Sequence, residues 1–150
     1  MQIVKVSALL LISLLMFGCD NHKSVSDSQT SSKSVQSENS SALNKMQDDY
    51  ISETKRYLPS KVAPNTDLVD IYKENNSVNY KYVIKENKKD LALAESEKVT
   101  AENLKKLYCS TNPELVKFRE AFPNGVNHSY YIKDEKLFTV HLALSDCKTK

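Results

Sequence analysis

The chain has 150 residues, 21 of them basic and 19 acidic, with a formal net charge of +2. That length limits it to one domain, and near-neutrality lacks the clustered basic excess expected of a nucleic-acid binder. There is no tryptophan, and Gly125 is the only glycine beyond Gly18, which argues against a large β-barrel with tight turns.

The amino terminus sets the first expectation. Lys5 is the one charged side chain between Met1 and Gly18, and a mostly apolar stretch runs from Val6 to Phe17. A positive start, a short apolar core and a small residue at the cut describe a secretory signal. The stretch is shorter than the ~20 residues needed to span a bilayer core. The residues MFGC after LLISLL resemble a bacterial lipoprotein signal. That resemblance implies cleavage before Cys19, diacylation of its thiol, and N-acylation. Cysteine arithmetic agrees. Three cysteines in a secreted chain leave one odd thiol, lipidation of Cys19 removes it, and Cys109 with Cys147 remain for a disulfide. A redox pair is the alternative, but close CxxC spacing is absent.

Asp20 to Ser41 holds nine serines and almost nothing apolar. Such a segment buries too little surface to offset its ordering entropy, so it is expected to be a disordered tether. The organisation is therefore a signal at 1–18, a lipid anchor and tether at 19–41, and a globular domain at 42–150.

Within that domain, Leu43, Met46, Tyr50, Thr54 and Tyr57 recur at helical spacing, behind a cap at Ser40 or Ser41 and ahead of Pro59. Two strands follow around Glu74-Asn75-Asn76-Ser77, with Tyr80, Tyr82 and Ile84 alternating against Asn79, Lys81 and Lys85. The stretch KDLALAES reads equally as strand or covering loop. Thr100 is the predicted cap of a helix carrying Leu104, Leu107 and Tyr108 inward, with Val99 stapled on Leu104. A second helix restarts at Asn112-Pro113 and buries Leu115, Phe118 and Phe122. A last hairpin pairs VNHSYYI with LFTVHLAL around Lys133-Asp134-Glu135-Lys136. The expected fold class is α+β: a roughly four-stranded antiparallel sheet of two hairpins, an N-terminal helix and two short central helices on one face, and one disulfide.

Chemistry is sparse. If the last hairpin turns at Asp134-Glu135, His128 faces His141, near enough for both imidazoles to hold one metal. A third ligand has no obvious place, and two histidines on an amphipathic strand is the simpler reading. No Gly-x-Ser-x-Gly elbow, HExxH or phosphate-cradling loop occurs. Neither an enzyme nor a cofactor is expected, and Lys88-Lys89 and Lys105-Lys106 read as solvated faces.

The segment Leu104 to Cys147, LKKLYCSTNPELVKFREAFPNGVNHSYYIKDEKLFTVHLALSDC, resembles the GspS/AspS class of type II secretion pilotins. The pattern rests on Cys109, Asn112, Pro113, Gly125, Val126, Asn127 and Cys147. The resemblance implies a small α/β domain with a Cys109–Cys147 bridge and no catalysis. It also implies a partner, the C-terminal segment of an outer-membrane secretin, escorted along the lipoprotein processing and sorting machinery. Leu104, Tyr108, Val116 and Phe118 are the candidate groove residues for helix-in-groove recognition, and acyl chains on Cys19 supply the membrane attachment. Asp20, directly after Cys19, resembles the inner-membrane retention signal of enteric lipoproteins. It points to the alternative, a non-catalytic inner-membrane lipoprotein with a protective role such as exclusion of incoming plasmids or envelope stress.

Overall fold

The computed structural model describes residues 34–147. The signal, Cys19 and the first part of the serine-rich tether lie outside the described residues. Residues 34–41, assigned from sequence to the tether, are instead the first turns of α1 (Ser34–Lys55). They contain no proline or glycine, and extending a formed helix adds one hydrogen bond for each residue fixed, so serine's modest propensity does not stop it.

Four short strand-forming stretches behave as their patterns require, and one is new. β2 (Thr66–Glu74) and β3 (Ser77–Ile84) form the expected hairpin. Asn75 and Asn76 between them take left-handed φ of 49° and 57°, which asparagine tolerates and a tight two-residue turn demands. β4 (Val126–Ile132) and β5 (Glu135–Leu142) form the second hairpin. β1 (Ser60–Ala63) pairs antiparallel with the start of β2. The sheet is therefore five-stranded, ordered β1-β2-β3-β4-β5, not four-stranded. β1 escapes sequence reading because four residues carry too little alternation to register.

The sheet is also mixed rather than antiparallel, since β3 pairs parallel with β4. The reason is the connection. Between them come a 3₁₀ turn at Lys88–Asp90, α2 (Leu93–Tyr108) and α3 (Pro113–Ala121), a crossover long enough to return the chain to the end where β3 began. KDLALAES is not a strand: Leu91 and Ala92 link the 3₁₀ turn to α2, which Leu93 opens. Thr100 lies inside that helix rather than capping it, and Val99 is exposed. The expected cap of α3 does form: the Glu114 amide donates to Asn112 Oδ1 at 2.8 Å, with Pro113 in the first turn.

The three helices share one face of the sheet. Tyr50 and Ile51 of α1, Leu104 and Tyr108 of α2, and Phe118 of α3 meet a core of Ile71, Val78, Phe122, Val126, Phe138, Val140 and Leu142. In α1 the inward face includes Gln47, 1% exposed, while Met46 and Tyr57 of the predicted stripe are exposed. Gln47 Nε2 donates to Ala121 O at 2.7 Å and to Asn76 Oδ1 at 3.3 Å, tying α1 to α3 and to the first hairpin's turn. Asn124 clasps the same turn, donating from Nδ2 to Asn75 O at 2.6 Å. Ion pairs Lys73–Asp48 and Lys55–Asp70 hold α1 along β2.

Two features fix the carboxyl-terminal half. Cys109 and Cys147 are bonded, with Cα atoms 5.1 Å apart, across a sequence separation of 38. Gly125 sits at φ +90°, where a Cβ would stand 2.1 Å from Leu142 O. Replacing Cys109 and Cys147 together by serine is expected to lower the unfolding free energy by about 3 to 4 kcal/mol, read from urea midpoints; an unchanged midpoint contradicts this. Gly125→Ala combines backbone strain with a direct overlap and is expected to cost about 2 to 4 kcal/mol in the same titration.

Candidate functional site

The register of β3 and β4 builds the site. Parallel pairing sets Tyr80 beside His128 and Tyr82 beside Tyr130, and the β4–β5 ladder adds Phe138 beside Tyr130. The rings stack across the strands: Tyr80 on His128 with centroids 5.1 Å apart, Tyr82 on Tyr130 at 4.7 Å, and Tyr130 on Phe138 at 4.7 Å. These side chains face the helices. However, α1 packs along β2 and α2 along β5, so the central strands lie between the two helices.

What remains over them is a cleft of about 270 Å³. Its floor is Tyr80, Tyr82, Val126 and His128. Its walls are Tyr50 of α1, Leu104, Leu107 and Tyr108 of α2, and Leu115 and Phe118 of α3. Leu107 stands at the rim, 59% exposed. At one end the rings of Tyr50, Phe118 and Phe122 pack edge-on or tilted at 5.2 to 5.5 Å. Arg119 secures the α2–α3 corner by donating to the Tyr108 and Ser110 carbonyls, orphan acceptors at the end of α2.

The floor carries two hydrogen-bonded pairs. The Tyr50 and Tyr80 hydroxyls bond each other, and the Tyr82 hydroxyl bonds His128 Nδ1 at 3.0 Å. Burial pushes the Tyr80 and Tyr82 phenols well up, and that of Tyr130 up to about 12. Burial also lowers His128 to about 4, so its imidazole is neutral at physiological pH. Among the described residues no Lys, Arg, Asp or Glu lines the cleft.

The candidate residues from sequence divide. Leu104, Tyr108 and Phe118 come together in this cleft, whereas Val116 does not line it and is 37% exposed. Cys19 lies outside the described residues. His128 and His141 do not face each other, which corrects the register expected for the last hairpin. The turn is the two residues Lys133-Asp134, and one bulge follows between Tyr130 and Tyr131, so Asn127 opposes His141 and His128 opposes Val140. A one-residue difference puts the imidazoles on opposite faces. His141 bonds Asn127 Oδ1 at 2.8 Å on the exposed face. Among the described residues no three His, Cys, Asp or Glu side chains gather to hold a metal. Sequence reading missed Tyr50, Tyr80, Tyr82 and His128 as a group. Their alternation was visible, but only the β3–β4 pairing makes them neighbours.

No family model matches the chain. Over 103 residues it is 32% identical to Protein K of Escherichia coli, an alignment covering 68% of this chain and 55% of that protein. The chain thus spans about half the length of the curated relative it matches. The fold is similar to a crystal structure of a Pseudomonas aeruginosa protein inferred to be secreted, with a TM-score of 0.60 and 12% identity. That likeness covers 71% of this chain and 94% of the other, and it shows a shared fold.

His128 gives the site a pH signature. Its folded value lies below the ordinary 6.5, so the unfolded chain binds more protons between about pH 4 and 6.5, and stability rises with pH there. The wild type is expected to lose up to about 3 kcal/mol as pH falls from 7 to 4 through this group. His128→Phe should remove that slope in urea titrations at pH 7, 5.5 and 4.5. Parallel slopes in both proteins would place the titrating group elsewhere.

Proposed function

We propose that this chain is a lipid-anchored binding module of the bacterial envelope, most concretely a type II secretion pilotin. In this reading α1 and α2 clasp an amphipathic helix from the C-terminal segment of an outer-membrane secretin. Lipid on Cys19 then carries the pair along the lipoprotein sorting route. One observation carries it: an apolar slot open over the two central strands, with flanking helices on either side and an exposed leucine at its lip. A helix laid there buries its apolar stripe against Leu104, Leu107 and Phe118.

Three further points support the envelope setting. The lipoprotein signal and serine-rich tether suit a domain held above a membrane. The Cys109–Cys147 bridge suits a compartment where disulfides persist. The fold is shared with a protein inferred to be secreted. The reading assigns the cleft, with its neutral phenols and one neutral imidazole, a binding role. Asp20 favours the second reading, an inner-membrane lipoprotein with a protective role. Separating inner from outer membranes distinguishes the two.

Co-purification tests the pilotin reading. With the secretin co-expressed, the Leu104→Glu/Leu107→Glu variant is expected to lose at least about tenfold of the recovered secretin, because charge enters an apolar contact. Tyr72→Glu, on the opposite face of the sheet, should recover as much as the wild type. Equal recovery by the slot variant, or no recovery by the wild type, contradicts the reading.

A further inference from the structure

The sheet has two outer edges, and they differ in kind. β1 is four residues long, carries Lys61, has a bulge between Lys61 and Ala63, and lies between Pro59 and Pro64. Shortness, lysine, bulges and proline are the devices by which natural sheets keep an edge from pairing with another chain. β5 is eight residues long and has β4 as its one neighbour in the sheet. It holds no proline, and its charges are confined to Glu135 and Lys136 at its start. Both are engaged within the molecule: Glu135 pairs with Lys88, and Lys136 lies over the Tyr131 ring. The run Leu137–Leu142 that follows contains no Lys, Arg, Asp or Glu. Leu137 is the residue passed over by the bulge, and from Phe138 to Leu142 the ladder with β4 is unbroken.

An edge strand turns alternate amide and carbonyl groups away from its single neighbour. Among the described residues, no backbone N–H or C=O of β5 bonds outside the β4 ladder, so those groups stand open. The side chains add a condition. Phe138, Val140 and Leu142 are buried on the helix face, while Thr139 and His141 are exposed on the other. A strand that continues the sheet has to keep this alternation. A second copy of β5 does so. Run antiparallel about Val140, it sets Val140 on Val140 and Phe138 on Leu142 on the helix face, and Thr139 on His141 on the outer face. Apolar side chains meet apolar ones, polar meet polar, and no carboxylate, lysine or arginine opposes its like.

From this edge we infer that the chain pairs with a second copy of itself, β5 against β5 about a two-fold axis at Val140, giving one continuous sheet across two molecules. The contact is isologous, so it consumes both open edges and stops at two. The edges left outside are the two β1 strands, whose protection blocks growth into a filament. The slot lies over the central strands, not at the edge. The inference therefore stands apart from helix docking, and each pair of chains carries two slots.

Sedimentation of the full chain in detergent, across the micromolar range, tests this. The wild type is expected to pass from one copy to two. Thr139→Lys/His141→Lys sets lysine against lysine at both outer-face pairs and is expected to weaken the dimer by at least about tenfold. Thr139→Glu/His141→Glu should do the same with carboxylates. Mixed, the two variants set lysine against glutamate and should recover a one-to-one pair. Far-ultraviolet spectra matching the wild type's show that both variants are folded, and the wild-type mass decides the matter without them. A wild type that stays single throughout, including one whose edge a different polypeptide occupies, overturns the inference. So does a dimer that both variants leave intact, or a mixture that pairs no better than either variant alone.

Discussion

At the centre of the sheet β3 and β4 run side by side in the same direction, and this pairing decides where the aromatic side chains of the cleft stand. Parallel neighbours place Tyr80 against His128 and Tyr82 against Tyr130, which an antiparallel meander of the same strands would not do. The crossover that parallel pairing requires carries α2 and α3. With α1 along β2 and α2 along β5, the described residues cover the middle of the sheet at the end where Ala121 of α3 and Phe122 after it join Val78 and Val126 in the core. The slot is the space this topology leaves.

The closed end of the slot is rigid for identifiable reasons. Gln47 and Asn124 both reach the Asn75-Asn76 turn, Gly125 donates to Phe122 O and accepts from Val78 N, and Arg119 holds the end of α2. Fixed walls lower the ordering cost of receiving a guest. The opposite face of the sheet is different in kind. There Asn127 donates to Asn79 and bonds His141, Ser129 bonds Thr139, and Lys81 and Lys136 lie over the Tyr131 ring, a polar surface in which Asn79 Nδ2 is the one buried group without a partner among the described residues.

Much of this was legible in the residues because local physics determined it. Asn75-Asn76 specify a left-handed turn, Asn112-Pro113 a helix start, and alternation two hairpins. The cysteine count specified a bridge between Cys109 and Cys147, and Leu104, Tyr108 and Phe118 were singled out before their meeting place was known. What was not legible depends on distant parts of the chain. Gln47 is polar in composition and buried only because Ala121 and Asn76 accept its amide. The last hairpin's register turned on one bulge, which no pattern in YYIKDEKLF announces. The parallel pairing is a property of the crossover as a whole, and with it went the grouping of Tyr50, Tyr80, Tyr82 and His128. Val116 was singled out with Phe118 as a groove residue, yet it does not line the cleft and is 37% exposed.

The central claim is that a partner docks in the slot between α1 and α2 rather than on the polar face behind it. Site-specific photocrosslinking in living cells tests this most directly, with a benzophenone amino acid placed at Leu107 on the slot rim or at Tyr72 on the opposite face. The account expects a secretin adduct from position 107 and none from position 72. An adduct from position 72 with none from position 107 would contradict it.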